Sequence, residues 1–324
     1  MRNKKPPFEI TNTILEEITE IAELVGHVNA VQGLSTNPML RRSNRIRTIY
    51  SSLAIEQNTL SLEQVTAVLS GKRVIAPPKD IAEAQNAYEV YEMLDSLDPY
   101  SIDDLLSAHA VMTRNLVKES GCFRSGPVGV VDKQGNVLHF GTLPDYVPQL
   151  VMDLLDWLRD SDFHILIKSC VFHYELELIH PFADGNGRIG RLWHTLLLTQ
   201  WKPMFAWLPV ESIIHDRQTE YYNAINHSNF EGESTAFIEF MLSAIKEALI
   251  EAIQTSGVAE STKNDALRWH EIECFLKKNG TVGNADVRQM FQISAATANR
   301  ILAKMCEKGK IQKVRIGKSW RYTL

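Results

Sequence analysis

Between Ile165 and Gln200 two apolar helical patterns meet at a twelve-residue loop, His180 to Arg191, and that junction limits what the chain can build. The incoming pattern carries Val171, Leu176, Leu178 and Ile179; the outgoing one carries Ile189, Leu192, Trp193, Leu196 and Leu197, both at helical spacing. Pro181 ends the first helix, because a helix seldom continues into the residue before a proline. Gly185 and Gly187 permit tight turns and the close approach of a ligand to main-chain N–H groups. A new helix starting at about Gly187 then faces the loop with unpaired N–H groups and its positive dipole end. That arrangement holds anions, most often phosphate.

The loop side chains suit the same ligand. Arg188 and Arg191 are three apart, so they share a helix face and both reach phosphate oxygens. Asp184 would be repelled by phosphate unless a cation lay between them. Mg²⁺, bound through one carboxylate and substrate phosphates, meets that need. His180, just before the loop, can accept a proton near neutral pH. Base, metal ligand, anion cradle and two cations together describe attack of a hydroxyl on a nucleotide phosphate. Each part alone is commonplace; a single Gly-Asn-Gly is usually a turn.

Most of the remaining chain also reads as helix, and the expected fold class is mainly α. Helical patterns run from Thr13 to Val31, Arg45 to Gln57, through Glu83, Ala87, Tyr91 and Leu94, from Ser101 to about Arg114, and over Val147–Leu158. Ser61 with Gln64 has the form of a capping box. Two more helices, about Ser212–Asn226 and Thr235–Thr255, follow the loop. The pattern changes once, where Val128–Val131 and Val137–Phe140 flank Asp132-Lys133-Gln134-Gly135-Asn136, a hairpin signal. Thr255 to Asn264 is small and polar, a linker by composition.

Length and charge divide the chain. Its 324 residues with 44% apolar content suggest roughly two domains and exclude a mostly disordered chain. Residues 263–324 hold 13 basic and 5 acidic side chains, against 21 basic and 34 acidic in residues 1–262. A basic tail on an acidic body hints at nucleic acid. No apolar run approaches the roughly 20 residues that span a bilayer. The start, MRNKKPPFEI, has no apolar signal region, and Cys122, Cys170, Cys274 and Cys306 form no CxxC. Cys170 and Cys306 fall in apolar helical patterns and are expected to be buried. A cytoplasmic location and no membrane partner are therefore expected.

The loop resembles the core motif of the Fic family, HxFx(D/E)GNGRxxR, at every specified position. The resemblance implies the Fic-fold helical bundle with a β-hairpin flap. It implies an N-terminal helical region over 1–100 with an inhibitory helix at about 45–58, and a catalytic domain over 101–255. It also implies protein adenylyltransferase activity: AMP moves from ATP to a Ser, Thr or Tyr hydroxyl of a target protein. By position, His180 resembles the catalytic base and Asp184 the Mg²⁺ ligand. Gly185, Asn186 and Gly187 fall in the phosphate-binding turn, and Asn186 and Gly187 resemble the α/β-phosphate cradle. Arg188 resembles the clamp on the β/γ-phosphates and Arg191 the γ-phosphate contact. Having Asp184 favours nucleotidyl transfer over the family's rarer phosphate-transfer chemistry.

Further positions gain meaning from the same resemblance. The hairpin Gly126–Pro144 resembles the flap whose edge pairs with the target backbone. Tyr221, Tyr222 and Asn229 resemble the adenine enclosure, although paired tyrosines on a helix are also common core residues. Ser52-Leu53-Ala54-Ile55-Glu56-Gln57-Asn58 resembles the inhibitory motif [S/T]xxxE[G/N]. There a glutamate pairs with the second arginine of the loop and blocks the productive γ-phosphate pose. Gln57 departs from the Gly or Asn of that pattern. Removal of AMP from a modified protein, with Glu56 positioning water, would use the same pocket. Relatives of this kind often pair, so a homodimer is an expectation.

Residues 263–324 resemble a winged helix-turn-helix. Ala266, Trp269, Ile272, Phe275 and Leu276 form one helix face, Asn284–Phe291 a short helix, and Ser294 caps a third. Two strands follow, around Ile316-Gly317-Lys318. Asn299, Arg300, Lys304, Lys313, Arg315, Lys318 and Arg321 would then contact DNA phosphates. An alternative to the enzyme is thus a DNA-binding regulator whose larger domain senses nucleotide or modifies itself. A docking or dimerisation module is the plainer reading of the tail.

Overall fold

The computed structural model describes residues 5–30, 37–131, 137–316 and 319–324, which form two compact units divided after Ile253. Asp132 to Asn136 in the expected hairpin loop, Gly317 and Lys318 in the expected wing, and Val31 at the end of the first helical pattern lie outside the described residues.

In the first unit α1 spans Asn12–Ala30 and α2 Pro38–Ile55. Asn37 caps α2 by accepting from the Met39 and Leu40 N–H groups, so this helix starts earlier than its apolar periodicity indicated. The capping box at Ser61 and Gln64 opens α3, Leu62–Leu69. Pro78 begins α4, Pro78–Glu92, and Ser101 caps α5, Ile102–Met112. The strands β1, Gly129–Val131, and β2, Val137–Phe140, pair antiparallel with an irregular register at Val130/Val131. After them come α6 (Val147–Asp160), α7 (Ile165–Ile179) and α8 (Asn186–Trp201).

The centre of this unit is α7 and α8, which pack on each other. Leu166, Val171, Phe172 and Leu176 of α7, and Ile189, Leu192, Trp193, Leu196 and Leu197 of α8, have no exposed surface. Burial on this scale stabilises by roughly 2 kcal/mol per large apolar side chain, so the loop between the two helices is anchored at both ends. Beyond α8 the single helix expected near Ser212–Asn226 is two, α9 (Val210–Asp216) and α10 (Gln218–Glu231). Arg217 separates them with backbone angles of −107° and 31°, and its guanidinium is bound by Glu220 and Glu247 instead.

The expected linker is helical. One helix, α11, runs from Thr235 to Asn279, and residues 255–264 lie within it. Its single interior glycine, Gly257, costs only about 1 kcal/mol, and no proline interrupts the run. The second unit begins inside α11 and contains α12 (Asn284–Phe291), α13 (Ala295–Glu307) and the antiparallel strands β3 (Gln312–Ile316) and β4 (Ser319–Thr323). Val282 bridges to Tyr322 beside that hairpin. The element order in this unit is three helices followed by a two-stranded hairpin. Its own small core holds Ile272, Leu276, Val287, Ala298, Leu302 and Ile311. Cys170 is buried as expected, but Cys306 is only partly so, at the edge of this core.

Candidate active site

The loop is shaped by its backbone first. His180 closes α7 in the left-handed region, φ 52° and ψ 60°, with its N–H on the Leu176 carbonyl. Gly185, φ 87°, opens α8, a conformation glycine adopts without the Cβ clash that other residues meet. Between them Phe182 is fully buried. Asn186 turns its side chain back on the loop: Oδ1 accepts from the Phe182 N–H at 2.9 Å and Nδ2 donates to the Phe182 carbonyl at 2.8 Å. The Asn186 side chain therefore braces the turn. What this position offers an anion is its main chain, in the first turn of α8, where N–H groups lack intrahelical acceptors.

Two residues that the sequence reading passed over hold this turn. His109 of α5 stacks on Phe182 with ring centroids 3.8 Å apart. Its Nδ1 accepts from the Gly121 N–H at 3.0 Å, so Nε2 carries the proton and donates to the Asp184 carbonyl at 3.0 Å. Burial lowers the His109 pKa, which favours the neutral ring. Arg124, 3% exposed, donates to the carbonyls of His180 (2.7 Å), Gly126 (2.8 Å) and Thr142, while its N–H meets the Pro181 carbonyl at 3.0 Å. One guanidinium thus joins both ends of the hairpin segment to the histidine. Neither residue belongs to a recognisable local pattern, and both are joined to the loop by long-range contacts.

The His180 Nδ1 lies 3.2 Å from the Glu177 carbonyl and 3.8 Å from Glu177 Oε2. A carbonyl only accepts, so Nδ1 carries the proton and Nε2 is the basic nitrogen. Burial, and then the Glu56 carboxylate, push the Glu177 carboxyl up to about 7, against the pull of Arg191.

Both arginines are buried and already engaged. Arg188, 3% exposed, pairs with Asp184 Oδ1 at 2.9 Å and with Glu83 Oε1 of α4 at 3.4 Å. Arg191, 1% exposed, donates through Nε to Ser52 Oγ at 3.1 Å, and through Nη2 to the Ser52 carbonyl at 3.0 Å and Glu56 Oε1 at 2.8 Å. Burial opposes the charge on Arg191, but Glu56 outweighs it and the pKa is raised. A Cβ placed on Gly187 would sit 2.3 Å from Glu56 Oε1. Glu56 therefore rests against the first turn of α8, where an anion would bind.

The departure at Gln57 leaves this geometry intact. Gln57 adopts φ 65°, its N–H meets the Ala54 carbonyl at 3.0 Å, and the Asn58 N–H meets the Leu53 carbonyl at 3.1 Å. Those are the two bonds of a Schellman ending.

The three adenine candidates differ in burial, and the rings of Tyr221 and Tyr222 lie 5.3 Å apart. Tyr221 is 1% exposed, with its hydroxyl 3.1 Å from His173 Nε2 and its ring among Phe237 and Phe240; it is placed in the core. Tyr222 is 42% exposed and donates to the Ile55 carbonyl at 3.4 Å. Asn229 accepts from Tyr174 Oη at 3.0 Å. In the second unit Asn299, Arg300, Lys304, Lys313 and Arg315 are exposed. Arg321 is instead spent internally, on Asp286 at 2.7 Å and on Thr281.

Among the described residues no three His, Cys, Asp or Glu side chains gather to hold a metal. Asp184 alone in the loop supplies a carboxylate, 44% exposed. Such a donor set fits a hard cation that takes its remaining ligands from water and phosphate.

The sequence profile of the Fic/DOC family matches residues 99–198. The protein adenylyltransferase fic-1 of Caenorhabditis elegans is 30% identical over 239 residues, 69% of this chain and 44% of that protein. Protein adenylyltransferase Fic of Nematostella vectensis is 30% identical over 205 residues, 60% of this chain and 45% of that protein. The chain thus spans less than half the length of these two relatives. A crystal structure of a Fic family protein from Desulfovibrio desulfuricans G20 is 42% identical, covers 99% of this chain and 98% of its own, and superposes with a TM-score of 0.77.

Proposed function

The chain belongs to the Fic family, and on that basis we propose that it is a protein adenylyltransferase restrained by Glu56. The observation that carries the proposal is one arrangement: Asp184 on Arg188 and Glu56 against Arg191 at the start of α8, with His180 at the end of α7 just before it.

The chemistry follows from the positions. A Ser, Thr or Tyr hydroxyl of a target protein approaches His180, whose Nε2 takes the proton. The hydroxyl oxygen forms a bond to the α-phosphorus of ATP as the bond to the β-phosphate oxygen breaks, and pyrophosphate leaves. The α8 N–H groups and Arg188 hold the phosphate charge in place, and Arg191 joins them once Glu56 withdraws. Asp184 would hold Mg²⁺, which neutralises phosphate charge when bound. The β1–β2 hairpin, tied to His180 through Arg124, would present a strand edge to the target backbone. Labelled ATP tests the proposal: incorporation into protein should rise in Glu56→Gly and vanish in His180→Ala. Labelling that survives loss of His180 would remove the base assignment.

A second activity is favoured by the tail. Exposed Lys313 and Arg315 lie over the ring of Trp320, which is 56% exposed, at 4.7 and 5.9 Å from its centroid, and Arg300 is exposed on α13. On this reading the second unit binds duplex DNA through its phosphates. Pairing of two copies and a cytoplasmic location complete the proposal. No helix among the described residues is long and apolar enough to cross a membrane.

A further inference from the structure

We propose that Glu83, held by Asn58, is a positioning residue for Arg188, setting it toward the β- and γ-phosphates. The proposal rests on the adenylyltransferase reading and adds a residue outside both sequence motifs. Glu83 is 7% exposed. Its Oε2 accepts from Asn58 Nδ2 at 2.8 Å, and its Oε1 lies 3.4 Å from Arg188 Nη1. Its other ion-pair partner is Lys79 at 3.8 Å, whose side chain is 66% exposed, so that contact is solvent-screened and weak.

Arg188 is thereby gripped from two sides. Asp184, 44% exposed, holds Nη2 from the loop, and Glu83 holds Nη1 from α4, while the buried Nε has no partner among the described residues. When Asp184 turns to a cation and phosphate, Glu83 is the carboxylate that keeps the guanidinium oriented. A buried charge left without a partner relaxes or is lost from its position.

Asn58 connects this grip to the brake. It follows Glu56 by two residues; its N–H closes α2 on Leu53, its Oδ1 accepts from Leu60, and Nδ2 also reaches the Asp80 carbonyl at 3.2 Å. Thr59 donates its N–H to Asp80 Oδ2 at 3.0 Å. The turn that presents Glu56 to Arg191 is thus stapled to α4, and through Glu83 it reaches Arg188 as well.

Calorimetric titration of the full chain with ATP and with AMP, in a Glu56→Gly background with Mg²⁺ present, tests the idea. Losing a charge-assisted hydrogen bond of about 1.5 kcal/mol corresponds to about tenfold in affinity. Glu83→Gln should therefore weaken ATP about tenfold and leave AMP unchanged, since AMP lacks the phosphates Arg188 meets. Asn58→Ala should act in the same direction and less strongly. In an Arg188→Ala background Glu83→Gln should change nothing further. Equal losses for ATP and AMP would mark general damage and overturn the proposal. So would an unchanged ATP-to-AMP ratio, or tighter ATP binding, which would make Glu83 a repulsive element. Failure of the Glu56→Gly parent to bind ATP would overturn this proposal and the adenylyltransferase reading together.

Discussion

Replacing Glu56 with glycine should raise self-labelling with ATP by about thirtyfold. Glu56 Oε1 lies 2.8 Å from Arg191 Nη2, with Arg191 1% exposed and Glu56 37% exposed. A hydrogen bond between charged groups contributes roughly 1.5–3 kcal/mol, and the half-open carboxylate argues for the lower part of that range. About 2 kcal/mol converts to about thirtyfold in the population whose Arg191 is available. The carboxylate also lies against Gly187, so its removal clears the anion position itself. Arg191 keeps its bonds to Ser52 Oγ and the Ser52 carbonyl, so the guanidinium should stay in place once Glu56 is gone. Glu56→Gln, which retains the shape and loses the charge, should fall between wild type and glycine. The assay is a time course of incorporation from ATP labelled on the α-phosphate, with melting temperature measured alongside. Rates for wild type and Glu56→Gly within twofold of each other, in folded protein, would refute the reasoning.

Other outcomes follow from the same geometry. Gln57 sits at φ 65°, so Gln57→Gly should stabilise the protein by up to about 1 kcal/mol in urea unfolding. Arg124→Ala strips several buried carbonyls of their donor and should cost about 3 kcal/mol, with faster proteolysis near residues 126–142. Burial raises the Glu175 carboxyl to about 7 from 4.5. The folded state then binds more protons than the unfolded one between those values, so this group lowers stability as pH rises through that window. The melting temperature of wild type relative to Glu175→Gln should accordingly fall from pH 5 to pH 7. Nitrogen NMR should find the proton of neutral His109 on Nε2, and the ring titrating below the ordinary imidazole range because burial lowers its pKa. Full-length protein should shift duplex DNA at low salt, less so at high salt, and Arg300→Ala with Lys313→Ala should weaken the shift.

The candidate site was legible because its residues sit in twelve consecutive positions whose types and spacing point to one ligand. The contact of Glu56 with Arg191 was legible for a similar reason: Ser52 and Glu56 share a helix face, and the left-handed turn after them forms with Gln57 as it would with glycine. Arg124, His109 and Glu83 were not legible. Each meets the loop through a long-range contact, and a lone Arg, His or Glu in a helix or turn carries no local signal. Tyr221 shows the opposite problem, since an aromatic at helical spacing fits a core and a ligand wall equally well. The course of α11 was hidden because a Ser/Thr/Gly-containing stretch resembles a linker, whereas its helical cost is small enough for the flanking packed segments to offset. Arg321 looked like a phosphate contact by charge alone and is bound to Asp286.

Intact-mass spectrometry of Glu56→Gly and of Glu56→Gly with His180→Ala, after incubation with ATP and Mg²⁺, tests the central claim most directly. The single variant should gain the mass of adenylyl groups, mapped to Ser, Thr or Tyr, and the double variant should gain none. Addition of phosphate alone, or equal adenylylation of both proteins, would contradict the account.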